Sequence, residues 1–227
     1  MEILFIIVGV AFLLALGAMV IKRKLAPLLN PPVRISLEPV TEARRRAAEA
    51  EQMAHALEMQ GFDELGTWRV PEIPGLVLTA FTQKFQAACS VVYEHPLVGV
   101  FADAFSENED GVSLTVTNAP AGGELDTPPN RDKIVNKEWS VEEVYDVLLR
   151  QRPRGPHRRI DERNFVEEFE RAYALEMDWR VNRGVSEDEV RRTAANMGGG
   201  FSDRNIRKAT EKLNQQYAEK RESVKPH

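Results

Sequence analysis

Two stretches carry the residue types that chemistry needs. "VVYEHP" sets Tyr93, Glu94 and His95 side by side, and "RQRPRGPHRR" gathers Arg150, Arg152, Arg154, Arg158 and Arg159 within ten residues. A Tyr–Glu–His triplet invites an acid–base reading. Consecutive strand residues point to opposite faces, however, so Tyr93 and His95 share a face that Glu94 cannot join. His95 stands before Pro96 and reads as a turn residue. The arginine run suits a phosphate, an acidic partner or lipid headgroups. It equally suits neutralisation of acidic loops in the same molecule, because residues 85–130 hold Glu94, Asp103, Glu107, Glu109, Asp110, Glu124 and Asp126 with no lysine or arginine.

Other signals are weaker. "SENEDG" lacks the alternating oxygen ligands and distal glutamate of a calcium loop, and its Asp110-Gly111 reads as a hairpin turn. "TNAPAGGELDTPP" offers glycine N–H groups, but Glu124 and Asp126 beside them repel an anion. The helices around Gly198-Gly199-Gly200 have too long a turn for a helix-turn-helix, and only Arg204, Arg207 and Lys208 are placed to meet DNA. The chain has no Walker A loop, GxGxxG, GxSxG, HExxH or paired CxxC. With one cysteine, Cys89, and histidines scattered at 55, 95, 157 and 227, no metal or cofactor is expected, and no catalytic residue can be assigned.

The elements that position these residues begin with "ILFIIVGVAFLLALGAMVI", residues 3–21, which contains neither charge nor proline. At about 1.5 Å per residue it reaches about 28 Å as a helix, close to a bilayer's hydrocarbon thickness. A cleavable signal would carry its cations first; here Lys22, Arg23 and Lys24 follow the run. The expectation is an uncleaved single-pass signal-anchor of the bacterial inner-membrane type, its partner the lipid bilayer. The cations, reinforced by Arg34 and Arg44-Arg45-Arg46, hold the C-terminal domain in the cytoplasm. The lone cysteine agrees with a reducing compartment. The net charge is −5 overall and +2 over residues 1–40, hence −7 over the rest, which argues against a nucleic-acid binder.

The expected organisation is a transmembrane anchor with basic flank at 1–24, a proline-rich spacer at 25–40, a membrane-proximal helix at 41–61, an α+β domain at 62–200 and a C-terminal helix at 201–227. Thr41 is a candidate N-cap for the first helix. Val40, Ala43, Ala47, Ala50, Ala54 and Leu57 step along it at heptad spacing, a seam for self-association or for packing on its own domain. Period-two stretches at 75–83, 87–95, 97–107 and 111–118 predict a small antiparallel sheet of about four or five strands, with 66–73 as an edge. Residues 119–133 read as a loop. About three or four helices follow, opened by capping boxes at Ser140/Glu143 and Ser186/Glu189. Between them an apolar stripe runs through Phe165, Phe169, Ala172, Tyr173, Met177 and Val181, suited to cover the sheet.

The function expected from this pattern is a membrane-anchored protein-interaction or scaffold module. Two alternatives are a membrane-tethered enzyme using carboxylates and arginines between sheet and helices, and a membrane-bound nucleic-acid regulator. A pocket joining Tyr93, His95 or Asp103 to an arginine from 150–159 speaks for the enzyme. Exposed apolar surface on the 41–60 or 203–224 helix speaks for the interaction module.

Overall fold

The computed structural model describes residues 31–42, 44–96, 98–120, 125–196 and 201–223. The apolar run at 3–21 and its flank Lys22, Arg23 and Lys24 lie outside them. No helix among the described residues is long and apolar enough to cross a membrane. The chain divides into two compact units, one from Pro32 to Arg183 and another that takes in the chain from Gly184 onward.

The first unit is α+β. Its sheet holds seven strands in the spatial order of the chain: β1 (Glu38–Pro39), β2 (Asp63–Arg69), β3 (Val77–Gln83), β4 (Ala88–His95), β5 (Gly99–Glu107), β6 (Ser113–Thr117) and β7 (Arg131–Val135). Neighbours are antiparallel from β1 to β6, and β7 runs parallel to β6. Period-two alternation divides the strand residues between two faces. Phe81, Val92, Ala102, Ala104, Leu114 and Val116 lie in one core with helices α1 (Ala48–Met59) and α2 (Val141–Gln151). The opposite face carries Leu78, Ala80, Cys89 and Val91 in a second core with Phe165, the first residue of α3 (Phe165–Arg183).

Cys89 sits at that second interface, 1% exposed, and burial pushes its thiol far above the usual range. It behaves as a small core hydrophobe.

The sheet is larger than the sequence predicts, at three points. Glu38–Pro39, inside the proline spacer, pairs with Trp68 and Arg69; a proline is tolerated there because β1 is an edge. That addition makes β2 interior rather than the edge expected at 66–73. Arg131–Val135, read as loop up to residue 133, is β7: its charged Arg131, Asp132 and Lys133 hide the alternation, and the long connection after β6 permits parallel pairing.

The membrane-proximal helix starts at Ala48, not after Thr41. Ala47 has extended backbone and makes no side-chain cap. Its N–H instead donates to Glu94 Oε2 (3.0 Å), and the same carboxylate takes the Arg44 guanidinium, with Nη2 3.0 Å from Oε2. Burial works against ionisation of Glu94, yet the Arg44 and Ala47 hydrogen bonds hold its carboxyl below the usual range. Ala50, Ala54 and Leu57 are buried in the domain's own core. Val40 and Ala47 precede the helix, and Ala43 lies outside the described residues. Fully burying a large apolar side chain such as Leu57 contributes about 1.5–3 kcal/mol, more than a typical cap of about 1 kcal/mol, so packing rather than capping holds α1.

The second unit contains α4 (Glu187–Asn196) and α5 (Asp203–Ser223), which pack on each other. Glu189 donates its N–H to Ser186 Oγ (3.1 Å), and Ser186 donates its N–H to Glu189 Oε2 (2.8 Å), the expected capping box. Gly184 sits at φ +78°, where an added Cβ would lie 2.5 Å from Asn214 Oδ1. That amide accepts from Val185 N (2.8 Å) and donates to Val185 O (3.0 Å), locking the start of the unit onto α5.

Candidate functional site

The polar side chains of β5 and β6 do not face open water. Glu107, Ser113 and Thr115 line a cleft of about 180 Å³ together with Phe169, Ala172 and Tyr173 of α3. Glu107 is its centre, with a side chain only 10% exposed. Three guanidiniums from separate elements reach it: Arg131 of β7 (Nη2 to Oε2, 3.4 Å), Arg158 of the loop after α2 (Nε to Oε1, 3.4 Å) and Arg171 of α3 (Nη2 to Oε1, 3.1 Å). Glu168 takes Arg158 Nη1 at 3.2 Å and Arg171 Nη2 at 2.6 Å. Burial opposes the charge on Glu168, but these two arginines keep its carboxyl below the usual range. Arg158 Nε is buried and makes no hydrogen bond.

Tyr93 lines the same cleft and stacks on Phe101, centroids 4.7 Å apart at 16°. Its hydroxyl donates to the Asp103 carboxylate. Burial raises both groups above their usual ranges, and the charge of Glu176 adds to this, although Lys133, Thr117 and Tyr93 favour the ionised Asp103. The cleft thus unites Tyr93 with Arg158, one of the pairings expected for an enzyme site. Glu94 is on the other face, tied to Arg44, as the strand period requires. His95 accepts from Val98 N through Nδ1 (3.2 Å), and burial lowers its pKa.

The five arginines of 150–159 divide by role. Arg158 enters the cleft. Its loop is stitched to the end of β5, with Arg158 N donating to Glu107 O (2.8 Å), Glu109 N to Pro156 O (3.0 Å) and Asn108 bridging His157. Arg152 grips the β3–β4 turn: Nη2 donates to Gln86 Oε1 (3.1 Å) and Nη1 to Gln86 O. Arg150, Arg154 and Arg159 are exposed. Part of the run therefore neutralises acidic residues of the sheet, and part remains on the surface.

That gripped turn displays Phe85, which is 94% exposed. Its backbone is fixed on every side. Phe85 N donates to Gln83 Oε1 (3.1 Å), Gln86 N to Gln83 O (3.2 Å), and Gln83 Nε2 to Gln60 O (3.2 Å) at the end of α1. Ala87 closes the turn at φ +47°. Met59, next to Gln60, is 75% exposed. Nothing in the 83–87 sequence marks Phe85 as exposed, because a phenylalanine between strands is ordinarily a core residue.

A wider groove of about 630 Å³ runs along Arg44, Arg45 and Arg46. Arg44 and Arg46 are committed to Glu94 and to Glu51 and Glu64. Among the described residues no group of three metal-ligating side chains is arranged to hold an ion. Comparison with known proteins finds no matching family model, no matching curated protein and no matching solved structure.

Proposed function

We propose that this chain is a membrane-tethered interaction module: residues 3–21 anchor it, Lys22, Arg23 and Lys24 keep its acidic α+β domain on the cytoplasmic side, and that domain docks a partner protein. The observation that carries the reading is Phe85. An aromatic ring left 94% exposed on a turn fixed by Arg152, Gln83 and Gln60 is already ordered before binding. Docking it then forfeits little side-chain entropy, and aromatic anchors of this kind carry most of the energy in protein interfaces. Arg152 beside the ring selects an apolar pocket with an acidic rim.

Phe85→Ser is expected to leave stability unchanged within about 0.5 kcal/mol, as for surface substitutions in general. Its effect should fall on association. Co-purification of partners from solubilised membranes is expected to drop severalfold against wild type, whereas Glu49→Ser, on the same domain's exposed helix, leaves it unchanged. Equal recovery with Phe85→Ser overturns the reading.

The cleft favours a second reading, the membrane-tethered enzyme. Asp103, its proton affinity raised by burial and hydrogen-bonded to Tyr93, is the group able to hold a proton beside a bound ligand. Asp103→Asn abolishing turnover of a cleft ligand, with binding retained, is the result that reading requires.

A further inference from the structure

We propose that the cleft between β5, β6 and α3 binds the carboxylate of a small organic acid with an apolar body. Its walls are largely apolar: Phe105 and Tyr93 from the sheet, Ile160 from the loop, and Phe169 and Tyr173 from α3. Against these walls stand guanidinium donors that the protein leaves underused. Arg131 reaches its acceptors, Glu107 Oε2 and Ala172 O, only at 3.4 Å each, the long limit for such bonds. Arg158 Nε is buried without any hydrogen bond, 3.4 Å from Glu107 Oε1. A buried donor without a partner is costly, and an arriving carboxylate oxygen relieves that cost.

The charge balance decides the ligand's class. Glu107, Glu168 and Glu176 offset Arg131, Arg158 and Arg171, so net attraction for a bare, strongly hydrated phosphate is small. A ligand must add burial of an apolar body to a single charge-assisted hydrogen-bond set. At about 180 Å³ the cleft is below the usual size for drug-like ligands, which limits the body to a single ring or a short branched chain. This site faces the opposite side of the sheet from α1 and does not involve Phe85, so it stands independently of the docking proposal. It holds whether or not the cleft also supports a reaction.

The test is isothermal titration of the full chain in nanodiscs with benzoate, with benzamide of the same shape but no charge, and with inorganic phosphate. Saturable benzoate binding is expected, with benzamide at least about tenfold weaker, a difference of about 1.4 kcal/mol, and phosphate unable to compete. Arg158→Gln should weaken benzoate by about tenfold or more. Ala172→Leu fills the cleft from α3 while keeping every arginine, so it should remove binding even where Arg158→Gln disturbs the ion-pair network. No benzoate saturation, equal binding of benzamide, phosphate binding in its place, or unaltered affinity in Ala172→Leu would each overturn the proposal.

Discussion

Phe165→Ala is expected to destabilise the first unit by about 3–5 kcal/mol, the range for emptying a buried aromatic site. Phe165 is fully buried, with its ring 4.8 Å from Trp68 and 5.5 Å from Phe169. It opens α3 and joins the helix to Leu78, Cys89 and Val91 of the sheet. Phe169 is only half-buried and can lean partway into the vacated space, which favours the lower half of that range. Domains are commonly stable by only about 5–15 kcal/mol, so even the smaller loss is a large fraction. Urea denaturation followed by circular dichroism should show the midpoint falling with an unchanged slope. A loss under about 1 kcal/mol would mean that α3 is not held to the sheet by this ring.

Glu107→Gln is expected to lower stability by about 2–3 kcal/mol. Removing one partner of a buried charge network commonly costs about 3–5 kcal/mol because charges are left uncompensated. Two features reduce that here: the side chains of Arg158 and Arg171 are 39% and 36% exposed, and both keep Glu168. Arg131, 19% exposed, loses its carboxylate and retains only the long contact to Ala172 O. The contrast is Arg34–Asp178, a 2.8 Å pair with side chains 47% and 43% exposed, where Asp178→Asn should cost no more than about 0.5 kcal/mol. Denaturation of the two variants side by side measures the difference. Equal small losses would show that the cleft's ion pairs are as solvated as surface ones.

Much of this architecture is legible in the sequence because its signals are local. The capping box at Ser140 and Glu143 and the turn at Asp110-Gly111 depend on residues a few positions apart, and both appear where spacing places them. The stripe on α3 was readable for the same reason: Phe165 and Phe169 cover the sheet, while Ala172 and Tyr173 line the cleft.

What local pattern could not convey is what a distant residue supplies. Glu94, read as one member of a triplet, holds the Ala47 N–H and Arg44 and so displaces the start of α1 past Thr41. The polar face of β6 reads as wet, since Ser113 and Thr115 are hydrophilic; it is occupied instead by a cleft whose guanidiniums come from β7, the loop after α2, and α3. Arg131 and Arg171 could not be singled out, because each lies in an ordinary charged segment and meets Glu107 only through tertiary packing. The same holds for Phe85, whose exposure is set by Arg152 from 66 residues away in the chain.

Orientation at the membrane is the claim on which the proposed function depends. Fusing reporters after His227 tests it most directly, because Lys22, Arg23 and Lys24 stand on one side of the apolar run and direct everything beyond them. A reporter active only in the cytoplasm is expected to function there, while one active only in the periplasm stays silent. Periplasmic activity with a silent cytoplasmic reporter would contradict the account, as would recovery of the chain outside the membrane fraction.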